Sequence, residues 1–319
     1  MTPVALAGVI GLATFAACTV TTRVAVRPLE RAMLGLARTG RCSGTDLLAV
    51  RLLPLGIASL TILVFVLPAF ARFEPRGLDE SAGLPILAAA LLGAILLAAA
   101  AWRVIRDLRA TRLLVRGWLE RARPVAWLDS NAFVVDTPEP LVAVTGIVRT
   151  RIFLSARVLA ACGPAEIAAV VEHERGHLRA ADNFKRLLLR ACPGALRCGS
   201  HDRALEHAWS VVTEDAADAF AIRRGVEGLD LASALVAIVR LGPAPSLDAP
   251  VSPFHEGDDL ERRVRRAVDP MEPPEAPLAL GLLRAVVLAL PLAVLLTAAI
   301  PGTLYAVHQF VERGVAFMR

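Results

Sequence analysis

The apolar residues of this chain gather into four long runs, Pro3 to Val20, Leu52 to Phe70, Leu84 to Trp102 and Ala285 to Ala306. Each is close to the roughly 20 helical residues that cross about 30 Å of hydrocarbon, which predicts four transmembrane helices. For the last run the alternative is a buried core helix. Its length, its Ala/Leu/Val content and the interruptions at Pro291 and Pro301 favour a span. No arginine or lysine precedes the first run, so it lacks the basic start of a cleaved signal and reads as a retained span.

Between the third and fourth runs the pattern shortens. Val125 to Leu128, Ala132 to Asp136, Leu141 to Thr145 and Arg151 to Leu154 read as strands. Asp129, Ser130 and Asn131, then Pro138 and Pro140, then Gly146 mark the turns between them. Beyond Gly163 the spacing becomes helical. Pro164 suits a first helical position, and Ile167, Val170, Val171 and Leu178 form one apolar face. A second helix is predicted over about Arg203 to Arg223, and the proline-rich stretch Gly242 to Ser252 is predicted to be a loop.

Composition agrees with lipid as part of the solvent. Hydrophobic residues make up 55%, charged residues 20%, and the mean hydropathy is +0.56, outside the range of an ordinary globular domain. The net charge of +5 is carried almost wholly by arginine, since Lys185 is the only lysine. These arginines crowd beside the apolar runs, which argues for membrane flanks and against a nucleic-acid partner. The five cysteines, Cys18, Cys42, Cys162, Cys192 and Cys198, form no CxxC pair. Neither a disulfide framework nor a cysteine zinc site is implied, and free thiols fit a reducing cytosolic face.

Arginine placement also sets an orientation. Arg23, Arg27, Arg31, Arg38 and Arg41 follow the first run, and Arg103, Arg106, Arg109, Arg112 and Arg116 follow the third. Only Arg72 and Arg76 lie between the second and third. By the positive-inside rule the N-terminus faces outward, while the basic loop 23–46 and the long central segment are cytoplasmic. The expected organisation is therefore three spans over 1–102, a cytoplasmic domain over 103–277, and a fourth span with a short outer tail over 278–319.

The central segment carries Val171-Glu172-His173-Glu174-Arg175-Gly176-His177. On a helix the two histidines fall on one face one turn apart, where both imidazoles can hold one metal ion, zinc above all. Glu174 is then placed as general base toward a water on that ion. Gly176 weakens a helix by about 1 kcal/mol relative to alanine, which makes sense if another backbone or a substrate comes close. The competing view, an exposed helix face that happens to bear two histidines, predicts no third ligand. Downstream, Glu214 and Asp218 stand four apart on an alanine-rich helix. Glu214 completes a set of three ligands, and Asp218 is placed to fix a ligand histidine. Carboxylates on a helix are commonly just solvated; their apolar setting after an HExxH motif argues otherwise.

HExxH followed by Glu214-Asp-Ala-Ala-Asp218 resembles the gluzincin membrane peptidases, which include HtpX and CaaX-type proteases and the BlaR/MecR-type sensor peptidases. The stretch Pro140 to Ser155, Asp182 with Asn183 after the second histidine, and the order of three spans, zinc domain and fourth span are similar to the BlaR/MecR side. The resemblance implies a mainly α integral membrane protein with four transmembrane helices and a cytoplasmic α+β zinc peptidase domain. It implies one zinc on His173, His177 and Glu214, Glu174 as catalytic base, and Asp218 and Asp182 behind the histidines. The setting it implies is a multi-pass protein of a bacterial-type plasma membrane. Its substrate would be a cytosolic or membrane-proximal protein, in the BlaR/MecR case a transcriptional repressor. An HtpX-like quality-control protease is the alternative, and a non-catalytic membrane scaffold is the alternative of another class.

One departure is plain: the BlaR/MecR sensors carry a penicillin-binding domain after the fourth span, and no Ser-x-x-Lys motif occurs in this sequence. The expectation is a peptidase without that sensor. Substrates of such enzymes lie as an added strand on a sheet edge; Leu141 to Leu154 offers one, and a purely structural hairpin explains the same stretch. Phe254-His255 and Leu260-Glu261-Arg262-Arg263 are similar to an HtpX stretch whose histidine and arginine lie near substrate, which makes His255 a candidate site residue. His201 and His207 read as structural or surface residues, and His308 falls beyond the last span.

Overall fold

A computed structural model describes residues 2–74, 82–125, 128, 131–192, 200–242, 252–253, 260–269 and 275–317. The chain is mostly helical with one small mixed sheet. The first part holds α1 (Pro3–Arg38), α2 (Gly44–Leu60), a π-helical stretch (Thr61–Val66), α3 (Leu67–Phe73) and α4 (Leu84–Leu119). Then come β1 (Ala122–Pro124), β2 (Ala132–Val135), β3 (Val142–Thr145), β4 (Arg151–Ser155), α5 (Ala156–Ala161), α6 (Pro164–Ala180) and α7 (Asp182–Ala191). The remainder is α8 (Ser200–Arg223), α9 (Gly228–Arg240), β5 (Ser252–Pro253), α10 (Leu260–Val268), α11 (Leu278–Ala299) and α12 (Thr303–Phe317). Two compact units result, one of Met1–Trp102, Cys192–Leu205 and Glu275–Arg319, the other of Arg103–Ala191 and Glu206–Pro274.

Four helices are long and apolar enough to cross a membrane: Val4–Arg38, Gly44–Phe73, Leu84–Leu119, whose residues from Arg103 belong to the second unit, and Leu278–Ala299. On α11, Leu282, Val286, Leu288, Leu292, Leu295 and Leu296 are all exposed, an apolar face compatible with lipid. The helices outrun the apolar segments. At 1.5 Å per residue the 36 residues of α1 extend about 54 Å, well beyond a bilayer core of about 30 Å. Arg23, Arg27, Arg31 and Arg38 therefore ride on helix rather than on a loop. The π-helical stretch precedes Pro68, whose missing N–H and ring disturb the hydrogen-bond ladder of the preceding turn.

The fourth expected span needs a correction. Its helix ends at Ala299 instead of reaching Ala306, because Ile300 precedes Pro301 and takes an extended conformation (φ −64, ψ 127). A new helix, α12, follows where a short tail was expected, and its His308 is buried.

The apolar interiors of the first unit are small. Leu6, Ile10, Val66, Phe70, Ile86 and Val315 form one apolar cluster, and Phe15, Ala58 and Leu96 another. A side chain at Gly93 would collide with the Leu12 backbone carbonyl, so glycine permits that close helix approach. Among the described residues of this unit, charges are buried only in company. Glu30, fully buried, takes Arg23 at 2.6 Å and His201 at 3.0 Å, while Arg51 pairs with Asp202 at 2.7 Å. His201 thus has a structural partner. Cys18, Cys42, Cys162 and Cys192 form no disulfide among the described residues, and Cys198 lies outside them.

The sheet of the second unit has the order β1-β2-β4-β3-β5, with β2 parallel to β4 and the other neighbours antiparallel. Both faces are covered. Val142, Val144, Ile152 and Leu154 face α6 and α9 in one cluster, while Ala143 and Phe153 face Leu114 and Trp118 of α4 in another. Burial on both sides explains strands that read as unbroken apolar runs. The expected strand Val125 to Leu128 is displaced upstream to β1, and Leu128 N–H instead closes a turn on Val125. Nor is β3 an open edge. It pairs with β4 on one side, and on the other β5 holds Ala143 and Val144 through Pro253 and Ser252. That places a two-residue strand at the very end of the stretch Gly242 to Ser252 expected to be a loop.

Candidate metal centre

Local capping sets the helix that matters. Pro164 opens α6, and the Glu166 carboxylate accepts the Gly163 N–H at 2.7 Å. At the other end Ala181 adopts the left-handed conformation (φ 55), which stops α6 and starts α7 at once. This sharp reversal brings Asp182 back against His177. Asn183 then donates to the carbonyls of Val144 and Gly146, both at 3.1 Å, and pins α7 to the end of β3.

His173 and His177 point from α6 toward α8, where Glu214 stands. Their Nε2 atoms are 3.1 Å apart, and each lies 3.4 Å from a different oxygen of Glu214. All three residues are buried, and their ligand atoms lie within 4.8 Å of one another. Behind them, Asp218 bonds His173 Nδ1 at 2.8 Å and Asp182 bonds His177 Nδ1 at 2.8 Å. Each carboxylate makes Nδ1 the donor and leaves Nε2 with a lone pair directed inward. Two imidazole nitrogens and a carboxylate facing one another in a dry interior repel unless they share a proton or a metal cation, and the Glu214 carboxylate raises the affinity of both rings for positive charge. This donor set fits a metal ion, and its nitrogen and oxygen chemistry fits zinc.

Close helix approach makes the convergence possible. A Cβ at Gly176 would sit 3.0 Å from Ala217 Cα and 3.3 Å from the Cβ atoms of Ala217 and Phe220. Glycine between the two histidines thus lets α6 and α8 meet backbone to backbone.

Two further residues shape the electrostatics. Glu174 is fully buried, and neither of its carboxylate oxygens has a hydrogen-bond partner among the described residues. Loss of solvent pushes its carboxyl up to about 7, where a group can take and return a proton near neutrality. Arg263 on α10 forks onto Asp218 with bonds of 2.8 and 2.7 Å and reaches Glu214 at 2.9 Å. Burial opposes charge on Asp218, yet Arg263 and His173 hold its carboxyl down at about 2. Sequence reasoning grouped Arg263 with a substrate-side or membrane-proximal arginine stretch; its position as counter-ion to both carboxylates of α8 was missed.

The remaining candidates are accounted for separately. His255 lies outside the described residues. His207 lines a cavity of about 220 Å³ together with Arg186, Glu206, Trp209, Glu214 and Arg263. Arg186 there sits over the Trp209 ring at 5.4 Å.

The Asp218 contact carries its own prediction. Asp218→Asn should weaken metal binding about 10–100-fold, the usual loss when a histidine ligand loses its carboxylate. A competitive chelator titration measures it; unchanged affinity would mean that Asp218 does not tune His173 as a ligand. Compared with known proteins, the chain matches no protein-family model and no curated protein.

Proposed function

We propose that this chain is a membrane-embedded zinc metalloendopeptidase of the gluzincin kind, similar to the BlaR/MecR-type peptidases. The observation that carries the reading is the meeting of His173, His177 and Glu214 with Glu174 buried beside them. His173 and His177 would hold zinc through Nε2 and Glu214 through its carboxylate. The chemistry a bound zinc supplies is Lewis-acid activation of water and of the scissile carbonyl.

The chain's own residues do the rest. Glu174 accepts a proton from the attacking water and passes it to the departing amide nitrogen. Asp218 and Asp182 keep each imidazole in one tautomer and one orientation, so neither ring must reorganise during the reaction. Arg263 keeps Asp218 ionised as the acceptor for His173 Nδ1.

The four apolar helices support a multi-pass protein of a bacterial-type plasma membrane. The arginine bias supports an outward N-terminus and a cytoplasmic peptidase domain. Its substrate in this reading is a cytosolic or membrane-proximal protein, a transcriptional repressor by resemblance. Comparing the proteomes of cells carrying the wild type and Glu174→Gln tests this. A full-length protein that accumulates only in the variant is expected; indistinguishable proteomes would contradict the proposal.

A further inference from the structure

A second group of metal-ligating side chains lies in the other unit, far from the HExxH motif in sequence. Glu74 follows α3, where the backbone leaves the helix in an extended conformation (φ −70, ψ 127). His308 and Glu312 stand one turn apart on α12 and share a face. A ring nitrogen of His308 and a carboxylate oxygen from each of Glu74 and Glu312 lie within 4.8 Å of one another.

The histidine is the informative member. It is only 8% exposed, and its ring lies 5.9 Å from that of Phe73, which also meets Tyr305 edge-on at 5.5 Å. Its nitrogens make no hydrogen bond or ion pair among the described residues. One oxygen of Glu74 is closed off from solvent. The two carboxylates repel each other at this range. The three donors are spaced too widely to bond His308 directly and closely enough to share one ion.

We propose that Glu74, His308 and Glu312 form a second cation site that takes a borderline divalent ion, zinc, through one imidazole and two carboxylates. One imidazole with two carboxylate oxygens is a donor set that zinc accepts readily. The ion ties α12 to the end of α3, so it joins the second apolar span to the helix that follows the fourth.

The test is metal analysis of the purified full-length protein in detergent after equilibration with zinc. About two ions per chain are expected, with one removed by His308→Ala or Glu312→Gln and the other by His173→Ala/His177→Ala. Zinc should raise the unfolding temperature of the His173→Ala/His177→Ala protein, and Glu312→Gln in that background should abolish the rise. Glu312→Gln is nearly isosteric, so it guards against a variant that merely misfolds. Equal zinc content in the wild type, His308→Ala and Glu312→Gln would overturn the proposal. About one ion, lost with His308→Ala and kept in His173→Ala/His177→Ala, would sink the peptidase reading and leave this site standing.

Discussion

Glu174→Gln should reduce peptide cleavage by at least about 10²–10⁴-fold, the usual contribution of a general acid–base group, while zinc remains bound. Glutamine keeps the shape of the side chain but accepts no proton at neutral pH. The three proposed ligands are untouched, so the metal content should match that of the wild type. Stability should hold as well, because the buried site already disfavours a charged carboxylate at this position. Turnover of a quenched peptide, measured beside zinc content, separates the two effects. Wild-type turnover in the variant would remove Glu174 from the chemistry; loss of zinc with activity would make it structural.

The second large effect is on folding. Arg263→Ala leaves Asp218 and Glu214 buried without their guanidinium. Removing one partner of a buried ion pair typically costs about 3–5 kcal/mol. Against a total stability of about 5–15 kcal/mol, that is a large share. The expected result is a sharply lower unfolding temperature and poor yield of folded protein. Arg263→Lys should fall between, since an ammonium supplies charge but cannot fork onto the two Asp218 oxygens. An Arg263→Ala protein with wild-type unfolding would mean that zinc and the histidines alone neutralise these carboxylates.

What the sequence reveals follows from how local each signal is. A span must be long and apolar wherever it occurs, so four runs were legible without knowledge of their partners. Their ends were not, because α1 and α4 continue into arginine-bearing turns that look like flanking loops. The short helix α7 escaped for a related reason. It is divided from α6 by Ala181 in a left-handed conformation that usually falls to glycine or asparagine.

The same distinction holds at the metal centre. His173 and His177, and Glu214 and Asp218, are one helical turn apart in sequence, so each pair could be read from spacing. Gly176 was readable too, as a residue that weakens a helix without local benefit. Arg263 sits 45 residues beyond Asp218 in a run with Arg262, Arg265 and Arg266. Arg265 is mostly exposed and pairs on its own helix with Glu261, and no local pattern marks its buried neighbour. The strand β5 was hidden for a different reason. Prolines argue against a strand, yet Pro253 is tolerated at a sheet edge where no ladder donor is needed.

The central claim is that His173, His177 and Glu214 hold zinc. X-ray absorption at the zinc edge tests it most directly, taken on His308→Ala protein so that one site alone contributes. Two imidazole nitrogens and carboxylate oxygen at about 2.0–2.2 Å are expected, with the signal lost in His177→Ala. Protein that takes up no zinc, or a zinc spectrum unchanged by His177→Ala, would contradict the account.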